Sequence, residues 1–262
     1  MLAQELIELH NAPREVPSFS GRYESLTPEA GYAAARALHR HRLAQGWKPV
    51  GRKIGFTNRM LWPRYGVHEP MWGTVYDRTR IEASGGEASV ALDGLVNPRI
   101  EPEVCFRLKS APRSSEPEAL LEAIEWAAHA IEIVQSYHPD WKLTLPDCTA
   151  ANGLHGRLVL GSAVALRELP GIAQALPGLE VVLKKSGSVV DRGVGANVLG
   201  SPLAALGHLV ELLARQPQAP PLRAGEIVTT GVLTDAHPVS RGETWSTELA
   251  GLPLTGLIVR FE

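Results

Sequence analysis

Apolar and polar positions change period along the chain, and each change predicts a different kind of element. Up to about residue 45 the apolar positions recur at helical spacing, with Leu2, Leu6 and Leu9 first and Tyr32, Ala35, Leu38 and Leu43 later. Thr27-Pro28-Glu29 has the form of a helix start, a capping hydroxyl followed by a proline in the first turn. Arg36, Arg40 and Arg42 then supply the polar positions of a helix over 30–44. This stretch reads as an N-terminal helical segment, 1–48, ahead of a main domain spanning 49–262.

From Pro49 the texture shortens to strands punctuated by glycine, at 50–56 and 72–77, separated by an aromatic-, Pro- and Gly-rich loop suited to covering a site. The run 97–108 alternates. Glu101 and Glu103 fall on one face, Ile100, Val104 and Phe106 on the other. A helix is predicted over 115–128, with Leu120, Leu121, Ile124 and Ala128 as its buried stripe, and the apolar strand 130–134 follows directly. Two turn-like stretches come next, 137–142 and 152–156. Further on, 179–183 and 188–192 flank a Lys-Ser-Gly turn as a hairpin, and Ser201-Pro202 opens a helix buried along Leu203, Leu206, Leu209, Val210 and Leu213. Three late strands, near 226–229, 245–249 and 254–261, complete a β-rich α+β chain.

Composition narrows the function classes. With 26 basic against 28 acidic residues, a net charge of −2 and no block of one sign, the chain has no electrostatic footprint for nucleic acid or an acidic membrane. Two cysteines far apart fit a reducing compartment, and neither a basic leader nor a membrane-length apolar run stands in the sequence, so a soluble cytoplasmic protein is expected. Several common chemistries are missing. There is no Gly-x-Ser-x-Gly elbow, no His-Glu-x-x-His and no phosphate loop, and Gly193-Val194-Gly195 lacks both the third glycine and the βαβ context of a dinucleotide site. His39 and His41, two apart on a helix, face different ways and do not grip one metal.

The carboxylates carry the strongest signal. Glu101 and Glu103 share a strand face, and Glu132 sits in an almost wholly apolar strand, where an acid is costly unless paired, protonated or bound to metal. All-oxygen ligands suit Mg²⁺, Mn²⁺ or Ca²⁺ and disfavour zinc or copper. The bland alternative puts Glu101 and Glu103 on a solvated edge and pairs Glu132 with an arginine. Lys53, between glycines and apolar residues, is either a desolvated acid or base or a lysine reaching solvent along its stem.

Taken in order, Gly51-Arg52-Lys53-Ile54-Gly55-Phe56-Thr57, Glu101-x-Glu103, Glu132, Asp140-Trp141-Lys142, Leu199-Gly200-Ser201-Pro202-Leu203 and the stretch 224–231 resemble the fumarylacetoacetate hydrolase superfamily. Within it the likeness is to 2-oxopent-4-enoate hydratases and 4-oxalocrotonate decarboxylases, and it covers essentially the whole chain. The resemblance implies a mixed β-roll preceded by a helical segment, and Mg²⁺ or Mn²⁺ held by Glu101, Glu103 and Glu132. It further implies Lys53 and Asp77 as proton-handling residues, substrate contacts at Asn152, His155 and Thr230, and a homo-oligomer. One departure stands out: many hydratases carry small hydroxylated residues after the Asn, whereas this chain has Asn152-Gly153-Leu154-His155-Gly156. His155 is therefore either a contact for the far end of the substrate, such as a second carboxylate, or a loop histidine.

The expected activity is hydration of a short 2-hydroxydienoate or 2-oxo-4-enoate in aromatic catabolism, a divalent cation stabilising the enolate that forms as a proton moves. Decarboxylation of 4-oxalocrotonate uses the same chemistry and stays open. So do two lesser readings: an acylpyruvate hydrolase using His68-Glu69 to activate water, and a non-catalytic metal-binding subunit of a lyase complex.

Overall fold

The structure, a computed structural model, describes residues 1–262. Helices α1 (Leu2–Asn11) and α2 (Pro28–Ala44) open the chain, and the Thr27 hydroxyl accepts from the Ala30 amide as the sequence signal requires. Strand β1 (Pro49–Gly55) follows, then the short helix α3 (Trp62–Tyr65) inside the covering loop, and strands β2 (Met71–Tyr76), β3 (Arg80–Glu82) and β4 (Glu87–Val90). The centre of the chain is β5 (Arg99–Leu108), α4 (Pro117–Ala123), β6 (Ile124–Val134), α5 (Leu145–Ala150), β7 (His155–Leu160) and β8 (Val164–Ala165). After α6 (Ile172–Ala175) come the hairpin β9 (Glu180–Lys185) and β10 (Ser188–Val194), then α7 (Pro202–Ala214), capped by the Ser201 hydroxyl. The last strands are β11 (Ile227–Thr229), β12 (His237–Pro238), β13 (Thr244–Ala250) and β14 (Ile258–Phe261).

The strands form two sheets. The larger runs β2-β1-β11-β5-β6-β7-β3 with β12 and β8 attached, and it mixes parallel and antiparallel pairs; the smaller runs β10-β9-β13-β14-β4. One face of the large sheet is the core. Ile54, Val104, Phe106 and Val228 pack under Leu206 and Leu209 of α7, while Ile100, Ile131, Ile133 and Val159 meet Leu183, Trp245, Val259 and Phe261 of the small sheet. The opposite face carries the carboxylates and, around them, small or branched residues such as Ala128, Ala130, Leu158 and Ile227. The helical start is tied in by its own cluster, in which Leu6, Leu9, Phe19 and Leu38 pack on Tyr137 and Ala150.

Two predicted elements are redrawn. The helix expected over 115–128 stops at Ala123, and Ile124 to Ala128 belong to β6, because the pairing of Ile124, Trp126, Ala127 and Ala128 with β5 outweighs the end of the helical stripe. The turn expected at 152–156 is a turn only to Leu154; His155 begins β7, a buried strand between β6 and β3.

Candidate active site

Glu101 and Glu132 are direct cross-strand partners in the β5–β6 ladder, and Glu103 lies two residues along on the same face. Their oxygens offer three donor atoms that all lie within 4.8 Å of one another. Glu103 and Glu132 are fully buried. Lys53 reaches them from β1, its Nζ 3.1 Å from Glu132 Oε2 and donating to the Gly153 carbonyl. This lysine does not reach solvent, since its side chain is 3% exposed.

Charge balance in this dry pocket is incomplete. Burial pushes Glu101 up to about 7, with Lys53 opposing and Glu132 adding to the rise, and burial together with Glu132 raises Glu103 well above the carboxylate range. Burial also works on Glu132, but Lys53 and the His155 hydrogen bond outweigh it and hold Glu132 low. Burial alone would lower the Lys53 ammonium; Glu132, Glu101 and Glu103 together hold it above its ordinary value, so it is a protonated cation. Three carboxylates thus face one ammonium. Glu103 Oε1 is buried without any hydrogen-bond partner, and Glu132 Oε2 touches Lys53 at an angle that makes no hydrogen bond. Orphaned, converging, all-oxygen donors of this kind fit a hard divalent cation.

The groups around the carboxylates fix their positions. Glu103 Oε2 accepts from the Gly231 amide at 2.8 Å, and Gly231 has a φ of 97°, a left-handed conformation in which a Cβ would lie 1.8 Å from Thr57 Oγ1. His155 Nδ1 donates to Glu132 Oε1 at 2.7 Å, leaving Nε2 to accept from the Thr79 hydroxyl at 2.8 Å. His129 bridges the sheets, its Nδ1 donating to the Glu103 carbonyl and its Nε2 facing Thr247 Oγ1 at 2.8 Å. Gly231, Thr79 and His129 escape a reading of the sequence, because each acts on a group far away along the chain, Gly231 on the Glu103 carboxylate, Thr79 on the His155 ring and His129 on the Glu103 backbone carbonyl.

The other sequence candidates divide. Asp77 is a correction: it is fully exposed in the turn after β2, and its carboxylate accepts from the Lys48 and Arg78 amides, away from the cluster. Its acid is spent on turn geometry. His155 is a second correction, since a histidine buried between Glu132 and Thr79 has no free nitrogen for a substrate carboxylate. Asn152 clamps both the amide and the carbonyl of Thr74, and Thr230 donates to the Val104 carbonyl, so both side chains hold backbone. His68 and Glu69 are exposed, and no contact joins them to the carboxylates.

Above the cluster is a narrow cleft of about 40 Å³ lined by Phe56, Leu61, Tyr65, Met71, Trp141 and Leu143 together with Lys53, Glu101 and Asp235. At its mouth Arg64 of the covering loop pairs with Asp235 at 2.9 Å, and the Trp62 indole donates to the Phe56 carbonyl. Free volume of this size holds roughly one water, so the covering loop has to open for an organic acid to enter.

A curled mixed sheet that presents two fully buried carboxylates, a part-buried third and one buried ammonium to a narrow cleft is a fold shared with solved proteins such as the fumarylpyruvate hydrolase of Pseudomonas aeruginosa, at 15% identity and a TM-score of 0.61 over 80% of this chain and 88% of that one. Known proteins narrow this further. A 4-oxalocrotonate decarboxylase from a Pseudomonas species is 32% identical over 252 residues, covering 96% of this chain and 94% of that one. The TodF product hydratase of Pseudomonas putida is 35% identical over 227 residues, 86% of this chain and 81% of that one. The solved 4-oxalocrotonate decarboxylase of Pseudomonas putida G7, complexed with magnesium and adipate, superposes with a TM-score of 0.89 at 27% identity, over 100% of this chain and 96% of that one. No family model matches. The chain belongs to the 2-oxopent-4-enoate hydratase and 4-oxalocrotonate decarboxylase family. No helix in it is long and apolar enough to cross a membrane.

Proposed function

We propose that this protein is a divalent-metal-dependent lyase that hydrates a short 2-hydroxydienoate or its 2-oxo-4-enoate tautomer, with Mg²⁺ or Mn²⁺ held by Glu101, Glu103 and Glu132. The observation that carries this reading is the converging carboxylate triad with an orphaned buried oxygen beside a protonated lysine. When bound, the cation supplies an electrophile for the 2-oxo acid end of the substrate and a counter-charge for the enolate. The chain's own residues do the rest. Lys53 holds a proton at Nζ on the floor of the cleft and delivers it to the terminal carbon of the dienol, and the proton that the 2-hydroxyl gives up returns to Nζ, so the lysine ends the step protonated. Water then adds at C4 of the resulting conjugated enone, and C3 takes the second proton. Phe56, Tyr65 and Trp141, closing over the cleft, keep bulk water from the dienol.

The largely apolar lining of the cleft favours a monoacid. Leu61, Met71, Leu143 and Leu154 offer a second carboxylate no partner, and leaving one there unpaired costs several kcal/mol, roughly. A second reading, decarboxylation of a dicarboxylate such as 4-oxalocrotonate, is favoured by Arg99, whose guanidinium lies 4.3 Å over the Trp141 ring at the edge of the cleft. Buried free thiols at Cys105 and Cys148 support a reducing, cytoplasmic setting, and a homo-oligomer with neither nucleic acid nor membrane as partner completes the proposal.

The test offers freshly generated 2-hydroxypenta-2,4-dienoate and 2-hydroxymuconate to the protein with Mg²⁺ and with chelator, following dienol absorbance and identifying products by mass. A hydrated product from the monoacid, lost with chelator, is expected. Release of CO₂ from the diacid with the monoacid untouched selects the second reading, and turnover unaffected by chelator refutes both.

A further inference from the structure

Arg52 and Lys53 are neighbours on β1 and point to opposite faces of the sheet. Lys53 enters the carboxylate cluster; Arg52 enters a second, larger cavity of about 680 Å³ between α2, the start of β1 and β2, and the loop leading into β11. Its size is that of small-molecule sites, roughly 300–1,000 Å³. Its walls carry five arginines and one acid, Glu226, in a chain whose net charge is −2. Arg52 is built in: it is 5% exposed, pairs with Glu226 at 3.1 Å, lies 5.5 Å over the Trp72 ring and keeps a buried Nε without a hydrogen-bond partner. Arg36 on α2 and Arg223 on the loop have no carboxylate within ion-pair distance, whereas Arg80 and Arg107 turn to Glu82 and Glu125 at the rim. The positive field is felt by His39 in the same wall, which burial first and then Arg52, Arg42 and Arg40 hold below its ordinary range.

We propose that this cavity binds a small organic polyanion, a molecule with two or more carboxylate or phosphate groups, through Arg36, Arg52 and Arg223. A guanidinium presents a planar fork of donors that matches carboxylate and phosphate oxygens two at a time. Two unpaired forks and one buried fork around a concave space large enough for a metabolite favour such a ligand over a flat protein contact. Nothing in the proposal draws on the carboxylate triad or its reaction.

Calorimetry on the Mg²⁺-loaded protein, with tricarballylate and fructose 1,6-bisphosphate as probes and acetate as control, tests it and separates the carboxylate from the phosphate source. At least one polyanion is expected to bind one per chain, and acetate not at all. The double variant Arg36→Ala/Arg223→Ala should weaken that binding at least tenfold while keeping the parent's melting temperature and turnover without ligand. A matched variant of exposed arginines elsewhere, Arg113→Ala/Arg167→Ala, should bind as the parent does. Binding that survives in Arg36→Ala/Arg223→Ala overturns the proposal, because the ligand then sits elsewhere. So does the absence of binding by the parent; if the sedimentation coefficient of the double variant also falls, the cavity is a contact for a second copy of the chain.

Discussion

Replacing His155 by leucine separates a histidine that holds Glu132 from one that holds substrate. The imidazole is fully buried and gives its only proton to Glu132 Oε1 at 2.7 Å. Leucine fills a similar volume, so the loss is chiefly one charge-assisted hydrogen bond to a buried carboxylate, about 1.5–3 kcal/mol. Thr79 adds little, since its hydroxyl still has the Tyr76 carbonyl at 3.0 Å. Glu132 also keeps Lys53, which is why the cost stays below the 3–5 kcal/mol, roughly, of an unpaired buried charge. For a chain of this size that is a fall in Tm of about 5–10 °C. Mg²⁺ affinity should drop about 10–100-fold, as for other lost partners of metal ligands. His155→Gln, whose amide can still donate to Glu132, should recover at least half of both losses. Thermal melts in chelator and Mg²⁺ calorimetry read the two effects. If His155→Leu melts within about 1 °C of the parent and binds Mg²⁺ equally well, the histidine does not support Glu132, and a raised KM at unchanged Tm would return it to the substrate.

The metal-free carboxylate cluster should cost the fold stability as pH rises, against the opposite trend of the buried and half-buried histidines His10, His39, His129 and His155, whose folded-state values lie below the ordinary one. Burial raises Glu101 from its ordinary 4.5 to about 7 and raises Glu103 as well, so between those values the folded state binds more protons than the unfolded, and stability present below about 4.5 is lost through about 7. Melts in chelator from about pH 5 to 8 should show the decline as a difference from the variant Glu101→Gln/Glu103→Gln, and added Mg²⁺ should raise the parent's Tm more at the upper end than the lower; parallel profiles of parent and variant would contradict the assignment. Gly231→Ala should destabilise the fold by about 3 kcal/mol or more, from the left-handed backbone and the Thr57 contact, and weaken Mg²⁺ binding through the displaced amide on Glu103. Denaturant melts paired with calorimetry check it, and unchanged metal affinity would show that this amide does not position the ligand.

What a sequence shows of such a site depends on how far each cause lies along the chain. Glu101 and Glu103 were legible because strand alternation is a two-residue rule, and Glu132 because an acid in an apolar strand stands out. The β5–β6 register that sets Glu101 opposite Glu132 joins strands only a helix apart. Asp77, which only the resemblance implied, was misplaced because a carboxylate after a strand looks alike whether it faces a cleft or closes a turn, and only the Lys48 amide, 29 residues along the chain, decides. The helix expected over 115–128 failed where Ile124 and Ala128 kept helical spacing but found a strand partner in β5. His155 reads as a substrate contact or a loop histidine because its two partners, Glu132 and Thr79, lie 23 and 76 residues away.

The parallel pairing of β1 with β11, Gly51 against Ile227 and Lys53 against Thr229, governs when Lys53 can meet the acids during folding. β11 lies between β1 and β5, so the strand carrying the lysine reaches the strand carrying two of the acids only through residues near the end of the chain. A nascent chain that already contains Lys53 and all three glutamates can therefore set the acids together on β5 and β6 but has no β11 to bring the lysine to them. The long loops closed by such a pairing make it slow to form and leave intermediate chains with open sheet edges. The lysine accordingly joins the carboxylates only once β11 is in place, and a cation held beside Lys53 reports that β1, β11 and β5 have come together.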